Sequence, residues 1–246
     1  MKKLLTILGL TSLSVLPTFS VLSCKPYHWF RSSKIFKEPI YNAEKTECIQ
    51  IGYFLEINTN KVQIEQFLPT TKKVPKDLPK EITSLSFAFQ GNKNEFIEGI
   101  QYWDTSNVTN MACMFDGAEK FNQDISKWNT SNVEDMRFMF SNTTSFNQPI
   151  DNWDTSNVTD MCGMFAWTTS FNQDISKWDT SNVADMEYMF KDAKNFNQDL
   201  SNWNVSQVED FKQFAINSNP NWKPKHKPKF NKALKFKKKK WSHTFW

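Results

Sequence analysis

No histidine lies between residues 29 and 225. The three in the chain, His28, His226 and His243, sit in the flanks. The central body therefore lacks the side chain most used for proton transfer near neutral pH and for binding metals. Cysteine is scarce too, with only Cys24, Cys48, Cys113 and Cys162. No Cys/His spacing makes a metal site. Acid is missing from residues 221 to 246, where ten lysines lie. Twelve lysines fall in that stretch and in the first 23 residues, so a net charge of +4 leaves about −8 for residues 24–220. An acidic body carries a basic tail. Also missing is a non-repeated cluster of reactive side chains of the kind a catalytic pocket needs. The reading is of a protein that is not an enzyme, with no catalytic residues, no cofactor and no metal.

What the chain has instead is one phrase written five times. It starts at Ile100 and restarts at Ile125, Ile150, Ile175 and, in a decaying copy, Leu200. Tryptophan recurs at 103, 128, 153, 178 and 203, and valine at 108, 133, 158, 183 and 208. Met111, Met136, Met161 and Met186 keep the step of 25, as do two phenylalanine columns beginning at Phe115 and Phe121. A fixed period of this size marks units that bury their apolar faces only against their neighbours. Coils ~4.8 Å apart would put Cys113 and Cys162, two repeats apart, ~10 Å from each other, beyond the ~6.8 Å reach of a disulfide.

The ends read differently. Lys2 and Lys3 precede an apolar run from Leu4 to Leu22 that is broken by Pro17. This is the pattern of a cleaved leader rather than a permanent span. Val21-Leu22-Ser23-Cys24 resembles a bacterial lipobox, which implies a diacylglyceryl group on Cys24. Two acyl chains, at ~0.8 kcal/mol per buried CH₂, anchor durably. The expected organisation is a lipoprotein signal peptide at 1–23, a flexible tether at 24–46, and a β-hairpin cap with connector at 47–81. A degenerate capping repeat at 82–99 follows, then the repeats at 100–216 and a basic Lys/aromatic tail at 217–246.

Within a repeat, Trp128 and Thr130 alternate with polar residues, as on a short strand. Val133, Met136, Met139 and Phe140 follow at steps of three and four, the spacing of a helical face. Asp135, with Asn110, Asp160, Asp185 and Asp210 in the same slot, is placed to cap that helix. Arg137 falls in a variable slot, shared with Ala112, Cys162 and Glu187, that is expected to face solvent. The Asn-Gln pairs at 122–123, 147–148, 172–173 and 197–198 suit corner ladders, and the tryptophans suit a buried stack.

The phrases W-D-T-S-N-V-T-D-M and F-N-Q-D-I-S-x-W, with the leader M-K-K-L-L-T-I-L-G, resemble the BspA-like leucine-rich-repeat surface lipoproteins of mycoplasmas. The resemblance implies a lipid-anchored, outward-facing protein in adhesion or host interaction. The fold expected is a repeat solenoid of α+β class, a leucine-rich-repeat-like right-handed coil with one short strand and one short helix per 25 residues.

The slot before each tryptophan holds Tyr102, Lys127, Asn152, Lys177 and Asn202, so packing does not dictate it. Beside it, Asp104, Asn129, Asp154 and Asp179 form a polar column. One carboxylate per coil gives too few oxygens to surround calcium, and the column reads as a solvated face. These nine residues are the expected interaction face, with the membrane as one partner through Cys24 and an extracellular or host protein or glycan as the other. Nucleic acid is not expected as a main partner of an exported chain. Two other readings stay open: an exported enzyme acting on polysaccharide or peptide, and a passive, variable surface coat antigen.

Overall fold

The computed structural model describes residues 33–231, so the leader, the lipobox with Cys24 and the end of the tail lie outside it. Ahead of the repeats are five short strands: β1 (Ser33–Lys37), β2 (Ile40–Tyr41), β3 (Cys48–Gln50), β4 (Tyr53–Glu56) and β5 (Lys61–Ile64). They form two antiparallel sheets, β1-β4-β5 and β2-β3. β4 and β5 make a hairpin that pairs Tyr53 with Ile64 and Glu56 with Lys61 around Asn58-Thr59-Asn60. Asn60 sits at φ 55°, a left-handed position that asparagine tolerates. Residues 33–41, expected to be tether, are in part strand.

The expected leucine-rich-repeat-like right-handed solenoid, with a strand and a helix in each repeat, is corrected by this structure. Among the described residues there is no α-helix, and no strand follows Ile64. The chain from there on is mostly turns. Two residues in each repeat are left-handed: Cys113 and Gly117, Phe138 and Asn142, Gly163 and Trp167, Tyr188 and Asp192, Gln213 and Asn217, all at φ between 52° and 69°. A right-handed helix cannot pass through such positions. The apolar spacing of three and four comes instead from overlapping turns. Met139 donates its amide to the Met136 carbonyl, Ser141 to Phe138 and Thr143 to Phe140.

The remaining amides join the repeats. Met136, Phe138, Phe140 and Asn142 donate to the carbonyls of Asp160, Cys162, Met164 and Ala166 in the next copy, at 2.8–3.0 Å. Each repeat contributes a single parallel bridge, running Ser84, Asn110, Asp135, Asp160, Asp185, Asp210. Gln63 of β5 bridges Ser84 and so ties the antiparallel sheet to the first row.

The core is aromatic columns. Phe115, Phe140, Phe165 and Phe190 stack at 5.5–5.8 Å between centroids. Phe121, Phe146, Phe171 and Phe196 stack beside them at 5.9–6.0 Å. The tryptophans form a third column, and all five are buried. Each indole N–H has a backbone partner: Trp128 donates to the Ile100 carbonyl at 3.0 Å, and Trp178 to Ile150 at 3.0 Å. That satisfies the polar edge of a group whose face is stacked. Cys162 is not in a disulfide, so Cys113 and Cys162 do not bridge.

Candidate functional site

The candidate surface is built by the Trp-x-Thr-Ser-Asn segment of the first four repeats and its Trp203-Asn-Val-Ser-Gln counterpart in the fifth. Trp and Thr turn inward. Thr130 Oγ1 donates to the Asp154 carbonyl, and Thr155 Oγ1 to that of Asp179, both at 2.9 Å. The residue between them turns outward and closes a tight turn. Asp104 Oδ1 accepts the Ser106 amide at 3.0 Å, and Asn129, Asp154 and Asp179 do the same for Ser131, Ser156 and Ser181. Hydrogen bonds from the Ser106 hydroxyl and amide hold the Asp104 carboxyl below the usual carboxylate range, and Ser181 does this for Asp179. Both therefore stay charged in mildly acidic conditions.

All nine expected face residues, Tyr102, Asp104, Lys127, Asn129, Asn152, Asp154, Lys177, Asp179 and Asn202, are exposed. They do not lie on a strand face, because the repeats hold no strand. The variable slot also divides in two. Asn152 and Asn202 donate their side-chain amides to the carbonyls of Ser126 and Ser176, at 2.9 and 3.0 Å. They are part of the stacking frame. Among the described residues Lys127 and Lys177 make no such bond, and the Lys76 ammonium lies 4.8 Å from the centroid of the Tyr102 ring.

Sequence reasoning missed a cleft five residues further along each repeat. Asn107, Asn132, Asn157, Thr109, Glu134 and Thr159 line a volume of about 640 Å³. The asparagine Nδ2 atoms are used: Asn132 donates to the Ser106 carbonyl and Asn157 to Ser131, both at 2.7 Å. Their Oδ1 atoms accept nothing from the described protein, and Glu134 meets Lys61 at 3.3 Å. The lining thus offers mostly acceptors, which suits hydroxyl or amide donors on a ligand. The one signal available in the sequence was the asparagine repeated at 107, 132, 157 and 182, which its periodicity disguised as frame.

The aspartates expected to cap helices do another job. Oδ1 of Asn110, Asp135, Asp160, Asp185 and Asp210 accepts the amide two residues on, at 2.8–3.1 Å. Stacking the copies makes a half-buried column of like charges. Arg137, exposed as its slot suggested, is the counterion of this column, forked onto Asp135 and 3.8 Å from Asp160. Burial pushes the Asp160 carboxyl up to about 6; Arg137 opposes this, while Asp135 and Asp185 add to it.

A folded-state value above the unfolded one means that the folded protein binds the proton more tightly. The charge on Asp160 therefore costs stability above pH 6, and the cost fades as pH falls toward 4. Asp160→Asn should raise the melting temperature at pH 7.5 by a few degrees and lose that advantage at pH 4. Asn110 shows that asparagine makes the same turn. Arg137→Ala should act oppositely at pH 7.5, because it strips the buried Asp135 of its counterion. Thermal melts at both pH values decide this, and an Asp160→Asn gain that persists at pH 4 would rule out a titrating carboxyl. Among the described residues no three His, Cys, Asp or Glu side chains are grouped to hold a metal.

No curated protein and no solved structure matches the chain. A family model does, over residues 69–158 and again over 148–240. These matches cover part of the connector, the capping repeat, the repeats and all of the described tail, so the chain belongs to the family described as Mycoplasma protein of unknown function, DUF285.

Proposed function

We propose that the protein is a lipid-anchored surface interaction module. It is held at the outer face of the cell membrane through Cys24 and contacts extracellular or host protein or glycan. The leader and lipobox residues support the anchoring, as does the BspA-like wording of the repeats. One observation carries the interaction reading. Nearly every position in a repeat stacks on its counterpart, yet Tyr102, Lys127 and Lys177 stand exposed in one slot and take no part in that frame. Side chains that the fold does not need, spaced regularly along one surface, are available for a partner.

The test compares wild type with Tyr102, Lys127 and Lys177 all changed to Ser in binding to a panel of extracellular matrix proteins and glycans. Cys24→Ser, which the anchoring reading moves to the aqueous phase of a detergent partition, supplies the soluble background. The triple variant should keep its melting temperature and lose at least tenfold in affinity for whichever panel member wild type binds. Unchanged affinity, or a Cys24→Ser protein that stays in the detergent phase, would overturn the respective half of the proposal.

A further inference from the structure

The two ends of the repeat stack are finished differently. At the first row, the carbonyls of Ser84, Ser86, Ala88 and Gln90 are all taken, by the Ile64 amide, the Gln63 side chain, the Phe67 amide and the Gln66 side chain. At the last row only the apolar core is covered. Trp222 packs on Phe196 at 4.9 Å, and Phe230 stacks on Phe211 at 4.5 Å. Among the described residues, the backbone amides of Gln213, Ala215 and Asn217 beneath them have no partner.

That ledge has an uneven chemistry. Every carbonyl from Asp210 to Asn217 already accepts a hydrogen bond. Those of Asp210, Lys212, Phe214 and Ile216 serve the preceding repeat. Those of Phe211, Gln213 and Ala215 close turns, and Asn217 receives Lys194. Three of the amides that would serve a following repeat are not engaged by the described residues. Gln213, Ala215 and Asn217 have no acceptor among the described residues, and none of the three residues is buried. The ledge is thus a row of free backbone donors at two-residue intervals whose neighbouring backbone carbonyls each already accept a bond. An ordinary β-strand fits it poorly, because a strand edge brings amides as well as carbonyls. The acceptor-presenting end of a second copy is itself capped. Lys212 lies on the ledge, and the segment that packs on this end through Trp222 and Phe230 carries Lys223, Lys225, Lys227 and Lys229, with Lys227 4.9 Å from the Trp222 ring; the nearby acids in sequence are Glu209 and Asp210.

We propose that this end of the stack binds an anionic polysaccharide, whose carboxylate or sulfate oxygens accept the amides of Gln213, Ala215 and Asn217 while the lysines pair with the remaining charge. Such a ligand supplies acceptors only, and charge-assisted bonds to backbone amides are strong. The site is separate from the exposed slot of Tyr102, Lys127 and Lys177, and each can fail alone.

The experiment is amide hydrogen exchange on the full chain in detergent, with and without heparin. Without heparin, Gln213, Ala215 and Asn217 should exchange fast, while Phe138, Phe140 and Asn142, their hydrogen-bonded counterparts, stay protected. With heparin the three should slow at least tenfold, and 1 M NaCl should reverse it. Three results would overturn the proposal: no heparin binding, binding that leaves these three amides unprotected, or protection that appears without heparin as protein concentration rises. The second would assign the affinity to lysine charge alone, and the third would make the ledge a contact between copies.

Discussion

Phe140→Ala should lower the melting temperature by on the order of 10 °C, since truncating a buried phenylalanine costs ~3–5 kcal/mol and a chain of this size loses ~2–4 °C per kcal/mol. The ring sits where the columns meet. It is 5.8 Å from Phe115 and from Phe165 along its own column, 4.0 Å from Phe146 in the next, and 6.1 Å from Trp153. Its removal opens a cavity and interrupts stacking in both directions. In a repeat array each unit leans only on its neighbours, so the loss should spread as local opening. Exchange protection at Met111–Gly117 and Met136–Asn142 should fall before that at Met186–Asp192. Phe96→Ala is the matched control: the same chemistry at a residue 51% exposed, expected to shift the melt by about a degree. Equal effects from the two would mean that the column is not what holds adjacent repeats together.

The columns were legible because stacking asks for the same side chain at the same depth in each copy. Trp, Val, Met and both Phe series could be placed inside from their period alone, and they are buried. The conformation between them was not legible. Apolar residues at steps of three and four fit a helix, but they fit overlapping turns with left-handed joints equally well. Half the distinguishing signal was present. One left-handed slot holds Gly117, Asn142, Trp167, Asp192 and Asn217, four of five being residue types that accept such a φ. The other holds Cys113, Phe138, Gly163, Tyr188 and Gln213, which announces nothing. There the hydrogen bonds to the next copy impose the conformation. Phe138, for example, is held by its amide bond to the Cys162 carbonyl at 2.8 Å.

The surface divided along the same line. Exposure of Tyr102, Lys127, Asn152, Lys177 and Asn202 could be read from variability within one slot, and that of Asp104, Asn129, Asp154 and Asp179 from the polar column beside it. The cleft of Asn107, Asn132 and Asn157 could not, because its residues vary no more than the frame does. The pairing of Arg137 with Asp160 was hidden for a further reason. It joins positions 23 apart that become neighbours only once the copies are stacked.

Gly99→Ala should be the next most damaging change, and it tests how the leading segment docks on the repeats. Gly99 sits at φ 112°, where a side chain is strained by ~1–3 kcal/mol. A Cβ there would also fall inside contact distance of the Val74 carbonyl oxygen, and 3.0 Å from its Cγ2. The obstacle is backbone, which cannot swing aside as a side-chain tip can. The Val74 amide donates to the Glu98 carbonyl at 2.8 Å, Glu98 donates to Lys72 at 2.9 Å, and the Trp103 indole donates to Pro75 at 2.9 Å. Relieving the clash means separating segment 72–75 from 98–103 and breaking these three bonds. Gly91 isolates the conformational part: its φ is 67°, and nothing lies within 4 Å of the position that an added methyl group would take. Gly91→Ala should cost only the ~1–2 kcal/mol of a left-handed residue. Gly99→Ala should exceed it by several degrees in the melt, with exchange of the Val74 amide accelerated and the Trp103 fluorescence shifted to the red as its indole meets water. If the two variants melt together and Val74 stays protected, segment 72–75 adapts freely and is not part of the cooperative body.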